Sequence, residues 1–381
     1  MFQVLSRSWA LLLGMMFLMV GNGLQGTLLG IRGDIEGFST FEMSVVMSAY
    51  FAGFLGGSKI APDLIRRVGH VRVFAALASF ISAILILYPM FAHPVAWALG
   101  RVAIGFCFSG VYVTAESWLN NSADNTNRGK ALSMYMIVQM IGIVSAQVIL
   151  AIGDASGYIL FIIASVLVSI SFAPILLSIS PTPAFETAKP MPLKTLIATS
   201  PLGCFGMFAL GGVFSAQFGM SAVYGTSAGL TVTQISLFVS SIYVGALMMQ
   251  YPIGWFSDRV DRRLVILLVA ALGGIAALFA LLNSQYFIMI LCAGFIMGGT
   301  SNPLYSLLIA YTNDYLEADD MAAASGGLVF IGGVGAIAFD IISKIGYMPE
   351  IASDPDLMPY AIAGLTVAIN AIRQFFADLG D

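Results

Sequence analysis

The chain has 381 residues, of which 59% are hydrophobic and only 9% are charged, and its formal net charge is −4. A soluble domain has roughly 45–50% apolar and about 25% charged residues, so this composition excludes an ordinary soluble domain and indicates an all-α membrane protein. The small net charge says little, because the charges in the loops decide how such a protein is oriented.

Charge-free stretches separated by turn residues predict twelve membrane-spanning helices, because a crossing needs about 20 apolar residues. The first six are predicted at 9–31, 42–62, 72–91, 95–119, 131–153 and 157–179. The second six are predicted at 203–226, 233–256, 264–283, 286–311, 321–344 and 358–376. Charges interrupt the last two, since Asp340 and Lys344 lie in the eleventh and Arg373 near the end of the twelfth. Asp340 is either an i,i+4 partner of Lys344 or a functional acid.

Lysine and arginine are unevenly distributed over the predicted loops. With the N-terminus in the cytoplasm, 13 of the 16 fall on the cytoplasmic side, Arg32 and Lys344 fall on the far side, and Arg101 lies within a span. Cytoplasmic loops carry an excess of these residues in membrane proteins. The distribution therefore predicts that both termini lie in the cytoplasm.

The polar, proline-bearing stretch PTPAFETAKPMPLK divides the spans six and six. It predicts a six-helix bundle at 1–180, a cytoplasmic linker at 181–200 and a second six-helix bundle at 201–381. Residues 48–74 and 240–266 match at an offset of 192, which pairs Gly53 with Gly245. A duplicated six-helix unit is typical of secondary transporters, whose substrate sites lie near the middle of the membrane.

A charged cluster at residues 254–263, GWFSDRVDRR, follows the eighth predicted span. It is similar to the loop motif G-x-x-x-D-R-x-[GD]-R-[RK] of the major facilitator superfamily, on Gly254, Asp258, Arg259, Asp261, Arg262 and Arg263. The first-half copy is degenerate, because only Arg67 and Gly69 match while Pro62 and Arg66 take the glycine and aspartate places. In the fourth span, Arg101-x-x-x-Gly105 resembles a further motif of that family.

The resemblance implies the fold of that family, with twelve transmembrane helices in two pseudo-symmetric six-helix bundles. It also implies that helices one, four, seven and ten line a central cavity and that the charged loop acts as a latch during alternating access. Physically, the arginines suit the anionic inner leaflet, Gly254 permits a close helix approach, and Asp258 suits the N-terminus of a neighbouring helix. The alternative is that the cluster only orients the chain.

Polar residues form stripes on the predicted cavity helices. Arg101, Gly105, Ser109, Tyr112 and Glu116 share an arc of roughly 80° on the fourth helix, and a charge in that setting costs about 2.5–3.5 kcal/mol on insertion scales. The candidate substrate or coupling residues are Arg101, Ser109, Tyr112, Glu116, Asn22, Gln25, Gln139, Gln217, Asn302 and Tyr305.

Alternatives remain open for three of these residues. Arg101 is either an anion-binding or proton-coupling residue or a structural hydrogen-bonding centre. Glu116 either pairs with Arg66, Arg67 or Arg72 or carries protons, and Gln139 is either a cavity residue or a packing residue. Arg101 and Glu116 are separated by about 22 Å along the helix and cannot pair with one another.

Other chemistry is not indicated by the sequence. It contains no P-loop, its three cysteines lack CxxC spacing, and His70 and His93 fall on opposite sides of the membrane. We therefore expect no enzymatic activity, no metal, no cofactor and no nucleic-acid partner.

The sequence predicts a monomeric secondary transporter of the bacterial inner membrane that moves a small solute by alternating access. The family resemblance implies protons as the coupling ion. The scarcity of acids in the predicted cavity, together with Arg101, favours a neutral or anionic solute. A drug or metabolite efflux antiporter of the same fold is the first alternative, and a membrane sensor or scaffold that transports nothing is the second.

Overall fold

The computed structural model describes residues 2–122, 128–178 and 191–344, and all regular structure within them is helical. The helices of the first part are α1 Phe2–Ile35, α2 Thr40–Val68, α3 His70–Met90, α4 Pro94–Ser122, α5 Arg128–Ile152, α6 Ile159–Ser171 and α7 Ala173–Leu177. Those of the second part are α8 Leu193–Thr199, α9 Pro201–Phe214, α10 Ser221–Ser227, α11 Val232–Ser257, α12 Arg262–Leu282, α13 Phe287–Asn313 and α14 Ala318–Lys344.

Eleven of the twelve predicted spans coincide with these helices. In the described part of the chain, nine helical stretches are long and apolar enough to cross a membrane, and α2 and α14 occupy two further predicted spans. The span at 358–376 and the side chains of Asp340 and Lys344 lie outside what the structure describes. The protein is an all-α membrane protein.

Two predicted helices are interrupted in the structure. The sixth span is divided between α6 and α7 at Phe172, next to Pro174. The seventh span contains a π-helical turn, Ser215–Met220, between α9 and α10. Part of the predicted linker is also helical, because α8 lies at Leu193–Thr199. Hydropathy does not register these breaks, since the side chains on both sides of them remain apolar.

Helix ends carry the local chemistry that stops or starts them. Ser39 begins α2 with a capping box, in which its hydroxyl accepts from the amide of Glu42 and its own amide donates to the Glu42 carboxylate. Between α2 and α3, Gly69 has a φ of 83°, which a residue with a Cβ rarely adopts. Asp261 begins α12 by accepting a 2.8 Å hydrogen bond from the amide of Arg263.

The described residues divide into two compact units. The first holds those of Met1–Thr187 together with Gly229–Ser236, and the second holds those of Ala188–Ala228 and Leu237–Asp381. Within the first unit α1 packs against α5 and α6, and α4 packs against both α2 and α3. Within the second unit α9 packs against α14 and α13, and α12 packs against α13.

Glycines bring the backbones of α2 and α4 into direct contact in the first unit. A methyl group on Gly53 would overlap the carbonyl of Val102, and one on Gly105 would overlap the carbonyl of Tyr50. A close approach of this kind, in which small residues replace side-chain packing, is a common way to associate helices in membranes.

The same crossing recurs in the second unit between α11 and α13. A methyl group on Gly245 would overlap the carbonyl of Phe295, and one on Gly298 would overlap the carbonyl of Ile242. The pairing of Gly53 with Gly245 at an offset of 192 therefore corresponds to a repeated contact, and an offset of 193 relates Gly105 to Gly298.

Candidate functional site

Arg101 of α4 is buried inside the first unit, with only 4% of its surface exposed. One guanidinium nitrogen donates to the amide oxygen of Gln25 over 3.4 Å, and the guanidinium lies 4.8 Å from the ring centroid of Tyr50. Its Nε is buried without a hydrogen-bond partner. In the described part of the chain no carboxylate pairs with Arg101. The described contacts of this buried cation are therefore with a neutral amide and an aromatic face.

A chain of polar side chains extends from Arg101 along α1 and α4. The amide of Gln25 donates to Asn22 over 3.4 Å, and Asn22 donates to the hydroxyl of Tyr112 over 3.4 Å. Tyr112 contacts the sulfur of Met19 at 3.5 Å. Distances near 3.4 Å are at the long limit for hydrogen bonds, so these groups are loosely held. Four predicted candidates, Arg101, Gln25, Asn22 and Tyr112, are thus neighbours.

Tyr50 belongs to this cluster although the sequence analysis did not single it out. It lies on α2, half-buried, three residues before Gly53 in the repeated segment. The face of an aromatic ring attracts a cation within about 6 Å of its centroid. The sequence signal that could have identified Tyr50 is its place in a predicted span, one helical turn before the packing glycine Gly53.

The remaining α4 candidates differ in their environment. Ser109 is buried, and its hydroxyl has no partner among the described residues. Glu116 is exposed and forms no ion pair in the part of the chain that the structure describes. Its pairing with Arg66, Arg67 or Arg72 therefore stays a prediction, and Arg66 pairs with Asp63 at 3.0 Å. The spacing of i,i+3 on one helix favours that local pair.

Gln139 of α5 lies apart from the Arg101 cluster. It is 8% exposed, and its amide contacts the sulfur of Met136 at 3.6 Å on the same helix. On the same helix, Gln147 donates to the carbonyl of Gly23 over 3.3 Å. The contact of Gln139 is local, whereas that of Gln147 ties α5 to α1.

In the second unit, Gln217 is the centre of a smaller polar contact. It lies in the π-helical turn, is 2% exposed, and accepts a 2.8 Å hydrogen bond from Ser301 of α13. Its amide nitrogen is buried without a partner among the described residues. A cavity of about 30 Å³ borders Gln217 and Ser301, which is enough for one water molecule. Ser301 was not predicted.

The other two candidates of the second unit lie on α13. The amide of Asn302 donates to the carbonyl of Gly298 over 3.4 Å on its own helix. The ring of Tyr305 lies 6.2 Å from that of Phe214, centroid to centroid. Both side chains are half-buried.

The charged loop of the second unit is held to the end of α13. Arg262 donates to both carboxylate oxygens of Asp314, one of them at 2.5 Å, and to the carbonyl of Ala310 at 3.3 Å. Asp258 lies 3.8 Å from Arg262 and is mostly exposed. The loop thus closes onto a neighbouring helix through Arg262, and Asp314 is a partner that the motif alone did not reveal.

Three other motif residues make local contacts. Arg259 stacks on the ring of Trp255, with 3.9 Å from guanidinium carbon to ring centroid. Arg263 pairs with Asp261 at 3.2 Å, and its hydrogen bonds hold the pKa of Asp261 below its usual value. The close helix approach expected at Gly254 is not found, because a methyl group there would meet nothing within 4 Å.

The first-half copy of the loop has a different construction. Arg67 is exposed, and the turn depends on the backbone of Gly69 rather than on an ion pair. Within the described residues no group of three or more His, Cys, Asp or Glu side chains could hold a metal ion. The cluster around Arg101 consists of amides, a hydroxyl, aromatic rings and one buried guanidinium.

Comparison with known proteins identifies the family of this chain. The family model of the Major Facilitator Superfamily matches residues 11–339. An MFS-type transporter of Yersinia pestis (strain Pestoides F) is 25% identical over 338 residues, which cover 86% of this chain and 85% of that protein. One from Escherichia coli O45:K1 (strain S88 / ExPEC) is 26% identical over 338 residues, with the same coverage of both.

Solved structures show the same fold at low sequence identity. A mutant form of the nucleoside transporter NupG is similar with a TM-score of 0.78 and 14% identity, over 96% of this chain and 98% of that one. A bacterial homolog of the human lysosomal transporter Spinster is similar with a TM-score of 0.69 and 15% identity, over 96% and 94%. Because the family model covers most of its length, this multi-pass membrane protein belongs to the major facilitator superfamily and is a membrane transporter.

Proposed function

We propose that the protein is a secondary transporter that carries a small neutral or anionic solute across the bacterial inner membrane by alternating access, coupled to protons. The substrate class is inferred from the environment of Arg101. It is a buried cation with one unpartnered nitrogen and no described carboxylate nearby. Burying an unpaired charge is costly, so an anionic or strongly accepting solute would relieve this cost.

The surrounding side chains suit a solute with further polar groups. Gln25, Asn22 and Tyr112 offer both donors and acceptors, and their long hydrogen bonds are readily exchanged for bonds to a ligand. Tyr50 supplies an aromatic face beside the guanidinium. Glu116, exposed and without a described ion pair, is the proposed proton-carrying group on the same helix.

The charged loop is proposed to act as a latch that is broken and re-formed during transport. Arg262 connects it to Asp314 at the end of α13, and Asp258 adds a weaker contact to the same arginine. With the lysine-rich and arginine-rich loops inside, this latch lies on the cytoplasmic side, as do both termini. The same proposal includes a monomeric protein with a first bundle at 1–180, a linker at 181–200 and a second bundle at 201–381.

Flux measurements with the purified protein in liposomes test the proposal. A library of small anionic and neutral metabolites is offered under an imposed proton gradient, and we expect uptake or release of at least one solute that Arg101→Gln does not support. Flux with no member of the library would favour the sensor or scaffold. Resistance to toxic compounds on expression, without accumulation of solutes in cells, would favour the efflux antiporter.

A further inference from the structure

An apolar groove opens in the first unit, away from the Arg101 cluster. Helices α2 and α3 each pack along α4 and touch one another little, so a cavity of about 680 Å³ remains between them. The groove is lined on α4 by Val102 and Phe106. It is lined on α2 by Gly56 and on α3 by Ala76 and Phe80.

Small residues create this groove, and large apolar residues border it. Gly56 and Ala76 leave space where longer side chains would fill it, while Phe80 and Leu99 remain 62% and 67% exposed. No acidic residue is among the lining residues that the structure describes. In a membrane-spanning unit, such a surface faces hydrocarbon and suits a hydrocarbon chain.

Arg72 lies at one end of the groove, in the first turn of α3. It is exposed, and the nearest acid in sequence, Asp63, already pairs with Arg66 at 3.0 Å. From Arg72 to Ile84, the lining residues of α3 extend over about 18 Å. This length is close to the depth of one leaflet, about half of a 30 Å hydrocarbon core.

We propose that this groove is a binding site for an anionic phospholipid of the cytoplasmic leaflet. One acyl chain lies in the groove between α2 and α3, and the phosphate pairs with Arg72. A guanidinium binds phosphate oxygens through paired hydrogen bonds, and basic pockets between transmembrane helices recognise anionic head groups. The assignment requires only that α3 begins at the inner leaflet, as the loop charges predict, and does not depend on the transported solute.

Native mass spectrometry of the purified full-length protein tests this site, with dioleoyl phosphatidylglycerol and dioleoyl phosphatidylethanolamine as probes. The wild-type protein is expected to retain one phosphatidylglycerol in preference to phosphatidylethanolamine. Ala76→Phe fills the groove and should lose this bound lipid. Val166→Phe, on the exposed face of α6 and outside the groove, is the matched control and should keep it.

A second pair of variants tests whether Arg72 binds the phosphate of the lipid head group. Arg72→Gln should reduce the preference for phosphatidylglycerol roughly tenfold, the scale of one lost charge-assisted contact, whereas Lys59→Gln, an exposed cation of α2 outside the groove, should not. Equal retention by Ala76→Phe and wild type would overturn the proposal. So would a preference for phosphatidylglycerol that survives unchanged in Arg72→Gln. Because Arg72 is exposed, its variant is expected to fold even if Ala76→Phe does not.

Discussion

In the first unit α2 crosses α4 at Gly53 and Gly105, and in the second unit α11 crosses α13 at Gly245 and Gly298. The backbone contacts correspond, yet the side chains beside them do not. Arg101 corresponds to Gly294 at the offset of 193. Tyr50 corresponds to Ile242 at the offset of 192. The cation and the aromatic ring that faces it are therefore both missing from the second unit.

A glutamine occupies the same place in both units. Gln25 and Gln217 are related by the offset of 192, and Asn22 corresponds to Phe214. Gln25 uses its amide nitrogen to bond Asn22, whereas the amide nitrogen of Gln217 has no partner in the described structure. The replacement of an asparagine by a phenylalanine accounts for this orphan donor. The comparison indicates that the repeat preserves helix packing while the buried guanidinium and its neighbouring tyrosine occur at the corresponding positions of the first unit alone.

The largest expected effect tests the shared crossing. Gly53→Ala and Gly245→Ala should each destabilise the protein by about 1–3 kcal/mol or more, because the added methyl group overlaps a backbone carbonyl that cannot move independently. Gly56→Ala is the matched control, since its methyl group would meet only a ring atom of Phe106, at 3.7 Å. Thermal unfolding of the purified variants measures the difference. Equal midpoints for Gly53→Ala and Gly56→Ala would contradict the close crossing.

The next prediction separates the two polar interiors. Arg101→Gln should weaken solute affinity by roughly 10- to 100-fold, as expected for losing a hydrogen bond to a charged group worth about 1.5–3 kcal/mol. Gln217→Met should change affinity much less, because Gln217 is bonded to Ser301 within its own unit. Titration of a transported solute by calorimetry gives both values. A larger loss in Gln217→Met would place the main binding energy in the second unit.

A third prediction concerns the charged loop of the second unit. Among the described residues, this loop is joined to another helix by the ion pair of Arg262 with Asp314. Asp314→Asn should slow turnover several-fold while leaving solute affinity nearly unchanged, and Asp258→Asn should do so less, because it lies 3.8 Å from Arg262. Residues that share one partner are coupled, so Arg262→Gln should add little to Asp314→Asn. Normal turnover with poor affinity in either single variant would remove the latch assignment.

The last prediction compares the residues that begin α3 and α12. Gly69 and Asp261 correspond at the offset of 192, but Gly69 has a φ of 83° and Asp261 a φ of −51°. Gly69→Asp should cost about 1–3 kcal/mol of stability, because that backbone conformation is nearly restricted to glycine. Asp261→Gly should cost only a few tenths of a kcal/mol (~0.3), as for other N-cap replacements by glycine. Similar shifts in unfolding temperature would show that the two turns are equivalent.

The contribution of Asp261 to folding stability should also depend on pH. Because the hydrogen bonds from Arg263 lower the folded-state pKa of Asp261 below its ordinary value of 3.8, the carboxylate stabilises the fold above that value. The contribution is lost as pH falls through the lowered pKa. Wild type and Asp261→Asn should therefore converge in stability in acid and differ near neutrality, a difference that denaturation at several pH values measures.

The sequence was sufficient for features that depend on hydropathy and spacing. Eleven of the predicted spans coincide with described helices, and the predicted repeat pairs Gly53 with Gly245. The candidates Arg101 and Gln25 also lie in contact in the structure. These predictions succeed because apolar length and helical periodicity are local properties of the chain.

Contacts that depend on how helices rotate about their axes were not predicted. Tyr50 over Arg101, Ser301 on Gln217 and Asp314 on Arg262 each join residues from different helices. Hydropathy does not fix such rotations, because neighbouring helices and lipid are equally apolar. The same reason explains why the close approach expected at Gly254 is not found.

We propose that Arg101, Ser109 and Tyr112 of α4 line a water-filled path for the solute. Labelling of Tyr112→Cys by a membrane-impermeant maleimide in liposomes, with Cys107, Cys204 and Cys292 replaced by serine, tests it most directly. We predict that Tyr112→Cys reacts from the aqueous phase, that a transported solute slows the reaction, and that Val166→Cys on the exposed face of α6 does not react. Labelling of Tyr112→Cys no faster than that of Val166→Cys, or unaffected by any transported solute, would contradict the account.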